Sequence, residues 1–250
     1  MKKLAAIVDA YSTGRFLSAE FEKYGYKMVH VQSMDPILEF DRGSFEPESF
    51  VANIISKSIA QTASELEGMG VEFVVAGCES GVLLADELVH ALGLQGNKLE
   101  KKEHRRNKYF MQVALRDAGI EYIESLQADS VEIAIKWFES RERLAVVVKP
   151  LDSAGSDGVF FCTTAAEISS AFKLLLNNVN SMGSVNKALI VQEKICGVQY
   201  IVNMVSYEGE HFVSDVWREH RVEDPRHGFL GDREYLLDFK VAREILKKTS

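Results

Sequence analysis

Cysteine is scarce in this chain, with three among 250 residues, and Cys78, Cys162 and Cys196 form no Cys-x-x-Cys or Cys-x-x-His spacing. That excludes a disulfide framework and a cysteine-built zinc site, and predicts reduced, structural thiols. Excess positive charge is also lacking. Lys and Arg number 29 against 37 Asp and Glu, a net charge of −8, so no nucleic-acid partner is expected. No apolar run approaches the roughly eighteen residues that a membrane helix needs. The N-terminal "MKKLAAIV" meets Asp9 too soon to be a signal peptide. A chain without membrane partner, located in the cytoplasm, is the expectation. Missing too is a G-x-G-x-x-G after the first apolar strand, where Gly14 stands alone, so a dinucleotide site there is not expected. No repeat or low-complexity tract is present.

What is present is alternation. "LAAIVDAYSTGRFLSAEFEKYGYKMVHVQ" reads strand, small-residue loop, amphipathic helix, strand. A polar stretch, a helix from about Phe50 to Gly68, the strand "VEFVVAG" and a helix in "ESGVLLADELVHALG" follow. Strands alternating with helices imply right-handed crossovers and a parallel sheet, so residues 1–100 read as a Rossmann-like domain. The charged run "NKLEKKEHRRNK" reads as a solvated face leading into a connecting helix, within 101–122. Beyond about residue 120, strand-like runs at short spacing suggest antiparallel pairing and an α+β second half.

Within that half, "AVVVKPLDSAGSDGVFFC" poses a specific problem. A tight hairpin needs two to five connecting residues and no lysine at its mouth. An anion-holding loop needs small residues, inward N–H groups and a nearby cation. Lys149 closes the apolar strand, and Asp152-Ser153-Ala154-Gly155-Ser156-Asp157-Gly158 follows. Upstream, Lys108 opens a helix; downstream, Glu193 ends the strand "ALIVQEK".

This order resembles the ATP-grasp superfamily, in its carboxylate–amine ligase branch that includes L-amino-acid ligases. "NKYFMQVALRDAGI" is similar to the segment supplying a first phosphate-binding lysine, and "VVVKPLDSAGSDGV" to the second lysine and phosphate-covering loop. "VQEKICGVQY" looks like the adenine hinge, and "DVWREHRVEDPRHGFLGDREYLLD" like a segment of the ligase branch. The resemblance covers nearly the whole chain. It implies a fold combining α/β and α+β parts: a Rossmann-like domain (1–100), a connecting helix (101–122), a lid subdomain (123–194) and the start of a C-terminal subdomain (195–250).

The resemblance also implies roles. Lys108 and Lys149 would hold the α- and β-phosphates of ATP. Ser153, Gly155, Ser156 and Gly158 would form a mobile lid. Glu193 would accept from the adenine amino group, with backbone groups of Lys194 and Ile195 reading the ring edge. Gln199 stands where the family usually has a ribose-binding carboxylate. Arg218, His220 and Arg221 would meet the transferred phosphoryl group. The plainer readings are surface lysines, a simple flexible turn for the loop, a strand-end carboxylate for Glu193 and solvated strand-end charges for Arg218, His220 and Arg221. Glu79-Ser80-Gly81, opening a helix, offers an anion site or simply an N-cap by Ser80. ATP and Mg²⁺ are the expected cofactors, and a small carboxylate and an amine, such as amino acids, the expected substrates.

The family's metal-binding acids lie on strands after the helix that begins near Leu237, so the chain is expected to be a fragment, split subunit or degenerate member. A homodimer or a complementing C-terminal segment are the expected protein partners. The metal ligands are left open, with Asp215, Glu219, Asp232 and Glu234 as substitutes; Asp238 is acidic as well. The leading expectation is an ATP-dependent carboxylate–amine ligase working through an acyl-phosphate. The alternatives are a nucleotide-binding module without catalysis and a biotin-carboxylase or carbamoyl-phosphate-type subunit.

Overall fold

A computed structural model of the chain describes residues 3–140, 145–224 and 228–247. Its first unit alternates strands and helices: β1 (Lys3–Val8), α1 (Leu17–Glu22), β2 (Tyr26–Gln32), the short α2 (Glu39–Arg42), β3 (Ala52–Ile55), α3 (Ile59–Met69), β4 (Val71–Ala76) and α4 (Val82–Ala91). The four strands form one parallel sheet in the order β3-β2-β1-β4. β1 reads as a nearly unbroken apolar run because both its faces are covered, as in most parallel sheets. On one face Ala6, Val8, Val29, Val31 and Ile54 meet Leu66 and Leu88; on the other, Ala5, Ile7 and Met28 meet Phe21, Phe50 and Phe73.

β3 corrects the expectation of one helix from Phe50 to Gly68. "ANII" is a short apolar run that periodicity alone cannot assign to strand or helix. The helix begins only after Ser58, whose hydroxyl accepts from Gln61 N (3.3 Å), and ends at Gly70 in the left-handed conformation (φ 74°).

After α5 (Lys108–Asp117) come β5 (Ser125–Ala128), α6 (Val131–Glu139), β6 (Val146–Pro150), β7 (Phe160–Cys162), α7 (Ala165–Leu175) and β8 (Leu189–Glu193). The strands make an antiparallel sheet in the order β5-β8-β6-β7. Ile168, Phe172 and Leu175 of α7 pack on Val146, Val148, Leu189 and Val191. A capping box between Thr164 and Glu167 starts α7.

β9 (Gln199–Tyr207), β10 (Glu210–Asp224) and β11 (Gly228–Leu236) build a second antiparallel sheet, followed by α8 (Phe239–Leu246). β11 lies within the segment likened above to the ligase branch; its strand character is added by the structure. Residues 225–227 of that segment lie outside the described residues. The β10–β11 register slips at His220/Arg221, leaving Asp232 out of the ladder, a bulge of the kind that re-aims side chains beside sites. No helix among the described residues is long and apolar enough to cross a membrane.

Candidate functional site

β6 and β8 run side by side, with Lys149 paired to Ile190 and Val146 to Glu193, so their ends place a lysine and a carboxylate at opposite limits of one strip. Asn107 caps α5 by accepting from Tyr109 N (3.0 Å) and Phe110 N (3.2 Å), which fixes Lys108 at the helix start. Lys108 N donates to Leu151 O (2.9 Å), binding the helix start to the loop after β6. These elements enclose a cavity of about 340 Å³. Lys108, Lys149, Ser153, Gly155, Ser156, Glu193, Lys194, Ile195 and Arg221 all line it.

Gln199, Arg218 and His220 do not line that cavity. They line an adjoining one of about 490 Å³ that shares Lys194, Ile195 and Arg221 with it. Gly158 lines neither; its φ is 64°, and a Cβ there would lie 2.7 Å from Leu175 Cδ2 and 3.2 Å from Pro150. Its smallness serves a turn packed on Leu175 and Pro150.

Four cationic residues, Lys108, Lys149, Lys194 and Arg221, line the first cavity. Burial pushes the Lys149 ammonium down to about 8, aided by the charges of Lys108 and Arg221. Burial also lowers Lys108, as does Arg106, while Asp152 and Asp157 oppose the shift. Such a cluster is electrostatically uncomfortable when nothing anionic sits within it. Arg221 is joined through Nε to Glu219 Oε1 at 3.0 Å. The Glu219 side chain is only 8% exposed, and its Oε2 has no hydrogen-bond partner among the described residues.

The small-residue loop is held by more than its own backbone. Lys108 Nζ donates to the Ser153 carbonyl, and Arg106 bridges Glu79 to the Asp152 carbonyl. Ser153 Oγ donates to Asp157 Oδ2 (2.7 Å), which also accepts from Ser181 N (2.9 Å). Asn180 Nδ2 donates to Asp152 Oδ1 (2.7 Å). The base of the loop is therefore anchored, and only its tip, Gly155 (φ 65°) and Ser156 (φ 62°), projects without such ties. Arg106, Asn180 and Ser181 were not singled out by sequence reasoning; Arg106 sat in a run read as solvated face, yet it is buried.

At the strand end, Glu193 N donates to Glu124 O (3.0 Å) and Lys194 N to Ala145 O (3.3 Å). The Lys194 ammonium lies 5.2 Å from the Phe161 ring centre.

Other candidates resolve differently. Ser80 does not cap a helix; its hydroxyl donates to Asp9 Oδ2 (2.6 Å), tying the ends of β1 and β4 together. Asp215 is held by Asn203, Ser214 and Trp217, Asp232 by His220 (3.1 Å) and Arg233, and Asp238 caps α8 through Lys240 N (2.9 Å). Among the described residues no group of three or more His, Cys, Asp or Glu side chains is placed to hold a metal ion. The described residues therefore do not fit a Mg²⁺ cage.

The geometry has counterparts. The chain is 33% identical over 241 residues to dapdiamide A synthase of Enterobacter agglomerans, an alignment covering 91% of this chain and 54% of that protein. It superposes on the L-amino acid ligase of Bacillus licheniformis with a TM-score of 0.68 at 15% identity, over 98% of this chain and 58% of that one. On the ADP complex of an N5-carboxyaminoimidazole ribonucleotide synthetase the TM-score is 0.71 at 13% identity, over 98% and 61%. This chain has the ATP-grasp fold. No family model matches it. D-alanyl-alanine synthetase A of Vibrio cholerae shares the ATP-grasp fold too, with a TM-score of 0.62 at 13% identity over 99% and 79%. The chain spans about half the length of the curated relative and about three fifths of the first two structures.

Proposed function

We propose that this chain is the nucleotide-binding portion of an ATP-dependent carboxylate–amine ligase that joins amino acids or related small molecules. One observation carries the reading. Lys108, Lys149 and Arg221, from three separate elements, face a single cavity between an anchored small-residue loop and the Glu193–Ile195 strand end. Cations at one end, backbone groups at the other and a volume within the range of small-molecule pockets suit a nucleoside polyphosphate. The names of the relatives support the ligase branch, since they include an L-amino acid ligase and a D-alanyl-alanine synthetase. Three of the solved structures hold ADP or MgADP.

In this reaction a substrate carboxylate oxygen attacks the γ-phosphorus of ATP, and the bond to the bridging oxygen breaks to release ADP. The amine then adds to the acyl-phosphate carbonyl, loses a proton and expels phosphate, leaving an amide. Lys108 and Lys149 hold the polyphosphate. Arg221, its guanidinium fixed by Glu219, offers charge to the transferred group. The loop tip at Gly155–Ser156 covers the phosphates and limits water. Glu193 and the Lys194 carbonyl orient the adenine. No step is assigned to a metal.

A nucleotide-binding module without turnover is the second reading, favoured by the lack of an acidic cluster among the described residues. Incubation with ATP, Mg²⁺ and pairs of amino acids, followed by mass spectrometry, separates the two. Amide product with matching ADP release supports the ligase. Nucleotide binding without product under every pairing supports the module, and absence of nucleotide binding contradicts both.

A further inference from the structure

His30 places a titratable ring in the interior of the first unit, with no solvent exposure. It belongs to β2, in register with Ile7 of β1 on one side and Asn53 of β3 on the other. Its ring holds three segments at once. Ala10 N donates to Nε2 (3.1 Å), Asn53 Oδ1 lies 2.6 Å from Nδ1, and the Phe45 ring lies 4.4 Å away between centres. A backbone N–H can only donate, so Nε2 is bare and the ring proton sits on Nδ1, facing the Asn53 oxygen.

The chain beside Ala10 needs holding. Asp9 and Ser12 both have positive φ (54° and 50°), a conformation that residues other than glycine adopt at a cost. Ser12 N donates to Ser44 Oγ (2.8 Å), joining this segment to the one that carries Phe45. The two segments supply Ser12, Thr13, Arg15, Asp41 and Ser44 to the wall of a cavity of about 780 Å³. Around the ring the titratable groups are Asp9 and Tyr11; Phe45, Phe50 and Asn53 carry no charge. Burial raises the Tyr11 phenol, so it stays neutral. Burial lowers the His30 imidazole below its ordinary value, against the Asn53 hydrogen bond and the Asp9 charge. Asp9 is already engaged, accepting from Ser33 N (2.8 Å), Ser33 Oγ and Ser80 Oγ (2.6 Å).

We propose that His30 is an acid-sensitive latch, whose protonation frees residues 10–16 and 41–45 and opens the cavity wall they form. The added proton turns Nε2 into a donor aimed at the Ala10 donor, so the hydrogen bond is replaced by a repulsion. It also leaves a charge among the rings of Tyr11, Phe45 and Phe50, out of reach of water. Opening the two segments lets the imidazolium reach solvent and the backbone leave its left-handed turns. An opened ring regains the ordinary value of about 6.5. Below that pH, opening is favoured by up to about tenfold per unit until the enclosed ring itself titrates. The latch does not depend on what the chain binds.

The test is hydrogen exchange of the wild type and His30→Gln from about pH 7.5 to about pH 5, read as protection factors so that the intrinsic pH dependence cancels. Wild-type protection across residues 10–16 and 41–45 should fall by up to about tenfold per unit below about pH 6.5, with α7 unchanged as the internal control. Glutamine accepts from Ala10 N without titrating, so His30→Gln should keep its protection over the same range. Nitrogen-15 histidine spectra of the wild type read the ring independently. They should show the proton on Nδ1 at neutral pH and a titration below the ordinary imidazole value. If His30→Gln does not fold, those spectra and the wild-type exchange decide. A proton on Nε2, a ring titrating at or above the ordinary value, wild-type protection that stays flat, or an equal fall in His30→Gln would each overturn the proposal.

Discussion

Lys149 carries the sharpest residue-level consequence. Its ammonium, lowered to about 8 by burial and by Lys108 and Arg221, is protonated below that pH and lost above it. A bound polyphosphate favours the charged form, so binding raises the pKa and affinity depends on protonation. ADP affinity should be nearly flat below about pH 8, then fall by up to about tenfold per pH unit above it, as read by calorimetry. Lys149→Ala should weaken ADP about ten- to a hundredfold and remove the break near pH 8. Lys149 was legible because a lysine closing an apolar strand before a small-residue loop has a chemical reason to be there. His30 was not, since only folding gathers Ala10, Phe45 and Asn53 about its ring. Neither was Arg106, whose partners Glu79 and Asp152 lie far away in sequence.

At the scale of elements, the loop after β6 is defined by its anchors. Burial alone would raise the Asp157 carboxyl, but hydrogen bonds from Ser153 and Ser181, aided by Lys108, hold it below the ordinary range. A depressed carboxyl contributes above its unfolded pKa and loses that contribution as pH falls through the folded value. Asp157→Ala should therefore speed hydrogen exchange across residues 152–158 at neutral pH, and acidification of the wild type should approach the same rates. The first sheet depends on a different device. A Cβ on Gly14 would lie 2.1 Å from the Gly77 carbonyl oxygen, so the β1 and β4 loops approach backbone to backbone. Gly14→Ala should cost at least about 1–3 kcal/mol of stability in urea titrations. Alternation of strand and helix foretold the parallel sheet. β3 escaped because its short "ANII" run beside a helix shares that helix's hydrophobicity, and β11 because Asp232, Arg233 and Glu234 interrupt its apolar pattern.

At the scale of the whole molecule, the cavity of Lys149 and the cavity of Arg218 adjoin at Lys194, Ile195 and Arg221, while the β9–β11 sheet leaves apolar side chains in solvent. Val205 and Phe212 face each other across the β9–β10 ladder at 64% and 61% exposure. A hydrophobic dye should fluoresce with the native chain, and Phe212→Ser should reduce that signal with little change in melting temperature. The central claim is that an adenine nucleotide binds at the lid and not at the end of the parallel sheet. Hydrogen exchange with and without ADP tests it most directly. Protection should appear at the start of α5, across residues 147–158 and across 190–196, with residues 1–100 little changed. Protection centred on the loops after β1 and β4, with the Lys149 region unaffected, would contradict the account.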